Sequence, residues 1–275
     1  MPGENLNTIG RLLWLGAPWA LVFARVSGLA WTAPAWSTSG LGGRFRLVLA
    51  ATLTALVAPI ASAGLVVPGD GASLVSSLFI ELIVGAAMGG TASLVIAGAR
   101  QAGEIVGAQA GLSPASLLDP EAGDGLNVLG HLYGWVALGV FLGLSGPTEL
   151  VRALAESYQI IPIGGSSPAI GANELTEGVF AAVARSLALA LRASSPPALA
   201  LLVAGLALGL LGRASPSLQL VSLSLPVRTA LGLTLAALGL VTLAATLGAA
   251  WESGFPFALG LGFGDGLNEP RMEHG

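Results

Sequence analysis

The stretch ARQAGEIVGAQAGLSPASLLDP, residues 99–120, interrupts a very apolar chain. Ala99, Gly103, Gly107 and Gly111 recur at steps of four, which puts them on one face of a helix. A strip with almost no side chain lets a second helix approach backbone to backbone, as in a dense bundle or assembly. Arg100 and Glu104 share that spacing and can pair along the helix, in the weaker Arg-before-Glu order. At low dielectric such a pair is costly unless further groups satisfy it. Pro114 biases Ser113 away from helical angles, so the helix stops after Gly111. Leu112, Ser113, Pro114, Ala115, Ser116, Leu117, Leu118, Asp119 and Pro120 then form a broken loop with an apolar tip. Non-helical backbone at membrane depth is tolerated only where protein buries it or it lines a cavity. The loop therefore reads either as a projection into a pathway or as a plain surface connection.

Composition sets the class. The chain has 275 residues, of which 54% are hydrophobic and 9% charged, and its mean hydropathy is +0.81. Soluble domains carry about 25% charged residues, so these charges are too few to cover a soluble surface. The chain is expected to lie in a membrane or among equally apolar partners. Net charge is −4, and no basic run occurs, which argues against nucleic acid as a partner. Cysteine is absent, which excludes disulfides, thiol chemistry and cysteine-bound metal. His131 has no Cys, Asp or Glu at ligand spacing and reads as a packing residue, so no metal is expected. Neither G-x-S-x-G nor a phosphate-binding loop is present, so no enzyme activity, ATP site or cofactor is expected. The first ten residues carry Glu4 and no basic n-region, so the first apolar run is expected to be retained rather than cleaved as a signal. Abundant glycine with Leu and Ala favours close-packed α-helices over a β-barrel.

A bilayer crossing needs roughly 20 apolar residues. Residues 12–34, 47–67, 74–99 and 126–144 supply four candidates, the first with Trp14, Trp19, Trp31 and Trp36 near its ends. Residues 145–177 are more polar, are punctuated by Pro and Gly, and read as a loop with one short helix at most. Residues 178–212 and 217–251 are long helix-forming runs interrupted by Pro196, Pro197 and Pro226, where a kink or break is expected. Together they make a kinked hairpin turning near Arg213 and Pro216. Residues 1–11 and 252–275 read as tails. The fold class is an all-α membrane protein built of kinked, tilted helical hairpins, with a broken loop after a Gly-rich helix. Arg44 and Arg46 argue for a cytoplasmic first loop, but the later arginines give no consistent topology.

Arg25 and Glu81 are isolated charges in the first and third apolar runs. Ionisable groups at such depth face an interior or a wet cavity. They either neutralise one another between helices or serve transport. With the broken helices, the second option suggests a small-solute secondary transporter, although no inverted symmetry or converging midplane site is apparent. Arg185 and Arg192, seven apart, share a face suited to headgroups or solvent.

The sequence also resembles a known family. Residues 99–120 resemble the most recognisable segment of the FliR family of flagellar export proteins, whose virulence-secretion relatives are the SctT proteins. YQIIPIGG at 158–165 is similar to that family's Pro-x-Gly-Gly loop, and LALGLLGRASPSLQLVSLSLPVR at 206–228 to its late hairpin turn with Arg213, Pro216 and Pro226. FARVSGLAWTAPAW at 23–36 and GGRFRLVLA at 42–50 match its first helix and loop, in the same order. The resemblance implies a non-enzymatic subunit of a protein-conducting export gate in the bacterial inner membrane, at the flagellar basal body. It implies assembly with FliP-like and FliQ-like subunits, beside FlhB- and FlhA-like proteins, with unfolded polypeptides as cargo. It further implies a FliP-like part at 12–177, a FliQ-like hairpin at 178–251, and a plug at 112–120. Bulky aromatics often seen in that plug are replaced here by Leu117 and Leu118 beside Ala115 and Ser116.

Overall fold

A computed structural model describes residues 3–37, 42–61, 70–112, 128–164, 172–214 and 220–252. The described residues form helices and short turns, with no strand among them. The elements are α1 (Gly3–Thr32), α2 (Pro34–Ser37), α3 (Gly43–Ala61), α4 (Gly71–Gln109), α5 (Val128–Gly143), α6 (Gly146–Ile160), α7 (Ala172–Ala214) and α8 (Leu220–Glu252). Among the described residues three helical stretches are long and apolar enough to cross a membrane: Gly71–Gln109, Thr176–Ala214 and Pro226–Leu247. The pair α5 and α6 qualifies together as a broken fourth. Leucines on α7 such as Leu187, Leu191, Leu199, Leu202, Leu206 and Leu210 are exposed in the single chain, the surface of a protein whose outer solvent is lipid or other subunits. The chain is an all-α membrane protein.

Three details differ from the sequence reading. The first helix begins at Gly3, so most of the expected tail is helical. The third apolar run and the glycine-ladder helix are one continuous helix of 39 residues. Residues 146–160, expected to be mostly loop, form a 15-residue helix. Of the kink or break expected at the prolines, a break does not occur: α7 is continuous through Pro196 and Pro197, and α8 through Pro226. The side chains show how α7 does this. Pro196 has no N–H to give the Arg192 carbonyl, and the Ser195 hydroxyl donates to that carbonyl instead, at 3.2 Å. Re-satisfaction of a freed carbonyl by a neighbouring hydroxyl is what allows proline inside an apolar helix.

The chain divides into two compact units. In the first, α1 packs against α3, and α3 against α6. Its core face on α1 is Val22, Val26 and Leu29, spaced four and three as one helical face requires, and Ala33 just past the helix is buried with them. Val84 and Met88 of α4, Leu150 and Leu154 of α6, and Ile161 and Ile163 are also buried in this unit. Asp70 caps α4: its carboxylate accepts the Ser73 N–H at 3.2 Å and the Ser73 hydroxyl. These hydrogen bonds hold the exposed carboxyl below the usual Asp range.

In the second unit, Ala99, Ala102, Val106 and Ala110 of α4 meet Leu129, Tyr133 and Ala137 of α5. Ala193 and Leu201 of α7 and Ala236, Leu243 and Leu247 of α8 complete that cluster. Tyr133 is fully buried, and its hydroxyl donates to the Ala236 carbonyl at 2.9 Å, joining α5 to α8. Tyr133→Phe is expected to cost about 1 kcal/mol, the net worth of one such bond, read as a lower unfolding midpoint of the purified chain in detergent.

The partition does not follow a cut at 177/178. Residues 94–144 group with most of the long hairpin, and residues 145–182 with the N-terminal helices.

Between α5 and α6 the chain turns at Ser145, whose φ of 59° is left-handed. Leu144 N–H closes α5 on the Val140 carbonyl, at 3.0 Å, and the Ser145 carbonyl starts α6 by accepting from Thr148 and Glu149, at 2.9 and 3.1 Å.

Candidate functional site

Two groups of residues singled out by sequence can be built from the backbone upward. The first is the end of α4. Ala99, Gly103 and Gly107 are buried. A methyl group at Gly103 would collide with the backbone of Leu129 and Gly130 on α5, so this part of the ladder is a backbone-to-backbone contact within the chain. Gly111 has a different task. Its φ is 79°, its N–H donates to the Ala108 carbonyl at 3.2 Å, and the Leu112 N–H donates to the Gly107 carbonyl at 3.0 Å. That pair of bonds is the Schellman C-cap, which needs a left-handed residue and so favours glycine. Gly111 itself therefore ends α4, ahead of Pro114. Thr229 of α8 donates its hydroxyl to the Ala110 carbonyl at 3.2 Å, and Gly232 leaves room for the Ala110 methyl. Leu112 packs against the second unit's cluster. The rest of the expected plug, Ser113–Pro120, lies outside the described residues, as does Pro216.

Arg100 and Glu104 pair as expected, at 3.3 Å, but their side chains are 40% and 32% exposed. In the single chain this is a half-exposed pair and not a buried one. It lies over Gly130 and Gly134 of α5: the Glu104 side chain crowds Gly130, and the Arg100 side chain crosses Gly134. Those two glycines, four apart, were missed in the sequence reading, although their spacing is the same signal as the ladder.

The second group is centred on Arg25, which is fully buried in the first unit. Its Nε lies 2.5 Å from Glu81 Oε2 of α4. Its two terminal nitrogens donate to Ser157 Oγ at 3.0 Å and to the Ile161 carbonyl at 3.1 Å. The guanidinium lies over the Tyr158 ring, 4.4 Å from its centroid, a cation–π contact. Glu81 Oε1 accepts the Gly164 N–H at 3.4 Å. The two charges found in separate apolar runs therefore neutralise one another. Their burial is made possible by glycine: a methyl at Gly85 would strike the Arg25 backbone, and methyls at Gly28 and Gly89 would strike α4 and α1 respectively. Ser157, Tyr158 and the Ile161 carbonyl were not foreseen as partners.

The remaining residues do not form a further centre. Arg213, Arg185 and Arg192 are exposed, as are Pro196 and Pro226, while Pro197 is buried. Among the described residues no group of three His, Cys, Asp or Glu is placed to hold a metal ion.

The family model for bacterial export proteins, family 1, matches residues 17–254. The chain belongs to this family. As an export-family protein it is similar to the flagellar biosynthetic protein FliR of Escherichia coli (strain K12), 32% identical over 236 residues, covering 82% of this chain and 85% of the relative. It is likewise similar to the flagellar biosynthetic protein FliR of Pectobacterium carotovorum subsp. carotovorum, 30% identical over 234 residues and 84% of both chains. The Yop proteins translocation protein T of Yersinia pestis is 26% identical over 199 residues, 72% of this chain and 76% of that protein. The matched region of the export family includes the whole of α4, both arms of the long hairpin up to Glu252, and the Arg25 centre.

Proposed function

We propose that this chain is a membrane subunit of the flagellar type III protein export gate, in the bacterial inner membrane at the flagellar basal body. It assembles with FliP-like and FliQ-like subunits, next to FlhB- and FlhA-like proteins, and passes unfolded polypeptides. It is not an enzyme and supplies no ATP site. Residues 12–177 act as its FliP-like part and 178–251 as its FliQ-like hairpin. The observation that carries the reading is the family match over residues 17–254 together with the FliR relatives.

Assembly is supported by what the single chain leaves open. Leucines and valines lie exposed along α7 and α8. A plug at 112–120 is supported by the cap at Gly111, which ends a slender helix and releases the chain at Leu112.

A photo-crosslinker at position 117 is expected to capture a polypeptide stalled in export through the assembled gate. Capture of no substrate in a well-expressed, assembled complex overturns the plug. Co-purification of the chain with FliP-like and FliQ-like subunits tests the assembly. The solute-transporter reading loses its main motive, because Arg25 and Glu81 are occupied by one another and by protein backbone.

A further inference from the structure

We propose that the Arg25–Glu81 pair is a latch whose working part is the turn Ile161–Gly164: the pair fixes that turn's backbone, and charge neutralisation alone is not its task. A bare cation at position 25 could neutralise Glu81. What stands there uses all three nitrogens and the face of a planar guanidinium. One edge meets Glu81 of α4, a second donor meets Ser157 of α6, a third meets the Ile161 carbonyl just past α6, and the flat face covers Tyr158. Lysine offers one point charge without the fork or the plane.

The carboxylate repeats the logic from the other side. One Glu81 oxygen holds Arg25, and the other accepts the N–H of Gly164. Ion pair and turn therefore share a carbonyl at one end and an amide at the other, three residues apart. Gly164 has a φ of 68°, a left-handed conformation that side chains rarely adopt. Ile163 is seated between these anchors, 2% exposed, while Pro162 faces outward. Without the anchors, the turn would have to keep Ile163 buried through packing alone.

The latch makes Arg25 and Glu81 positioning residues. It involves none of residues 112–120, so it stands whether or not those residues plug a channel.

The chain contains no cysteine, so a single Cys at position 163 reports on the turn cleanly. In full-length protein in membranes, maleimide labelling of I163C is expected to be slow. Arg25→Lys, which keeps the charge but loses the fork, is expected to label about tenfold faster, the scale of losing one or two net hydrogen bonds in a local opening. The charge-free double variant Arg25→Leu/Glu81→Leu is expected to accumulate normally and also to label about tenfold faster, because apolar residues can replace a buried pair but cannot hold backbone groups. Labelling of Arg25→Lys at the parent rate would show that charge alone suffices. Parent-like protection in the double variant would show that packing alone holds the turn. Either result overturns the latch. A measurement on the unmodified chain guards against variants that fail to accumulate: hydrogen exchange of the Gly164 amide is expected to be strongly protected, and exchange at the rate of an open loop also overturns the proposal.

Discussion

Glu81→Leu is expected to remove most of the chain from the membrane, and adding Arg25→Leu to that variant is expected to bring it back. The single change leaves a fully buried guanidinium facing an apolar side chain. Arg25 keeps its bonds to Ser157 and the Ile161 carbonyl, but neither carries a negative charge. Breaking a buried pair from one side costs about 3–5 kcal/mol, because the surviving ion has lost its compensation in a site that water does not reach. That is a large share of a stability of about 5–15 kcal/mol. Removing both charges is a different experiment. The helices already meet closely around Gly85, both side chains are buried, and two leucines of similar volume need no partner. Replacement of a buried pair by apolar groups is often neutral or stabilising. The readouts are the amount of full-length chain in membranes and its unfolding midpoint in detergent. A single variant as abundant and as stable as the parent would mean that Arg25 finds another anion or reaches water.

How far the sequence could be read depended on whether the deciding group was a side chain with a periodic neighbour or a piece of backbone. Apolar runs gave the helices, because period and length survive without tertiary context. Arg25 and Glu81 stood out because each was alone in an apolar run, and they prove to be each other's partner. Glycine spacing predicted close approach in the ladder, and it occurs at Gly103 against α5; Gly85 and Gly89 carry the same spacing and meet α1. The same spacing at Gly139 and Gly143 meets nothing within 4 Å among the described residues. Spacing fixes a face and does not say what lies opposite it. The Arg100–Glu104 pair was legible as a pair, but its depth was not, since exposure depends on how α5 lies against α4. Helix α6 was hidden by its charges, Glu149, Arg152 and Glu156, although Leu150, Leu154 and Ser157 carried the helical period of its buried face. The anchors at the Ile161 carbonyl and the Gly164 amide had no signature at all, because every residue but proline offers both groups. At Pro196 the reading missed a hydroxyl one residue away that replaces the lost donor.

The glycine contacts give the other large effect. Gly85→Val and Gly103→Val are each expected to cost about 3 kcal/mol or more, at the upper end of overpacking, because the obstacle is backbone and cannot rotate aside. At Gly85 the added carbon would lie against the Arg25 carbonyl, 2.8 Å from its carbonyl carbon and 3.1 Å from its Cα. At Gly103 it would meet the Leu129 carbonyl, 2.8 Å from its carbon and 2.9 Å from the Gly130 Cα. Relief at Gly85 requires α1 and α4 to separate, which also pulls Arg25 away from Glu81. Relief at Gly103 requires α4 and α5 to separate, which uncovers the cluster around Val106 and Tyr133. Gly139→Val is the control: it has the same spacing in sequence and open space in the chain. Its chain abundance and unfolding midpoint in detergent are expected to match the parent, apart from the small change in helix propensity from glycine to a β-branched residue. If all three variants behave alike, helix propensity and not interhelical distance governs these positions, and the close crossings at Gly85 and Gly103 are not what holds the helices together.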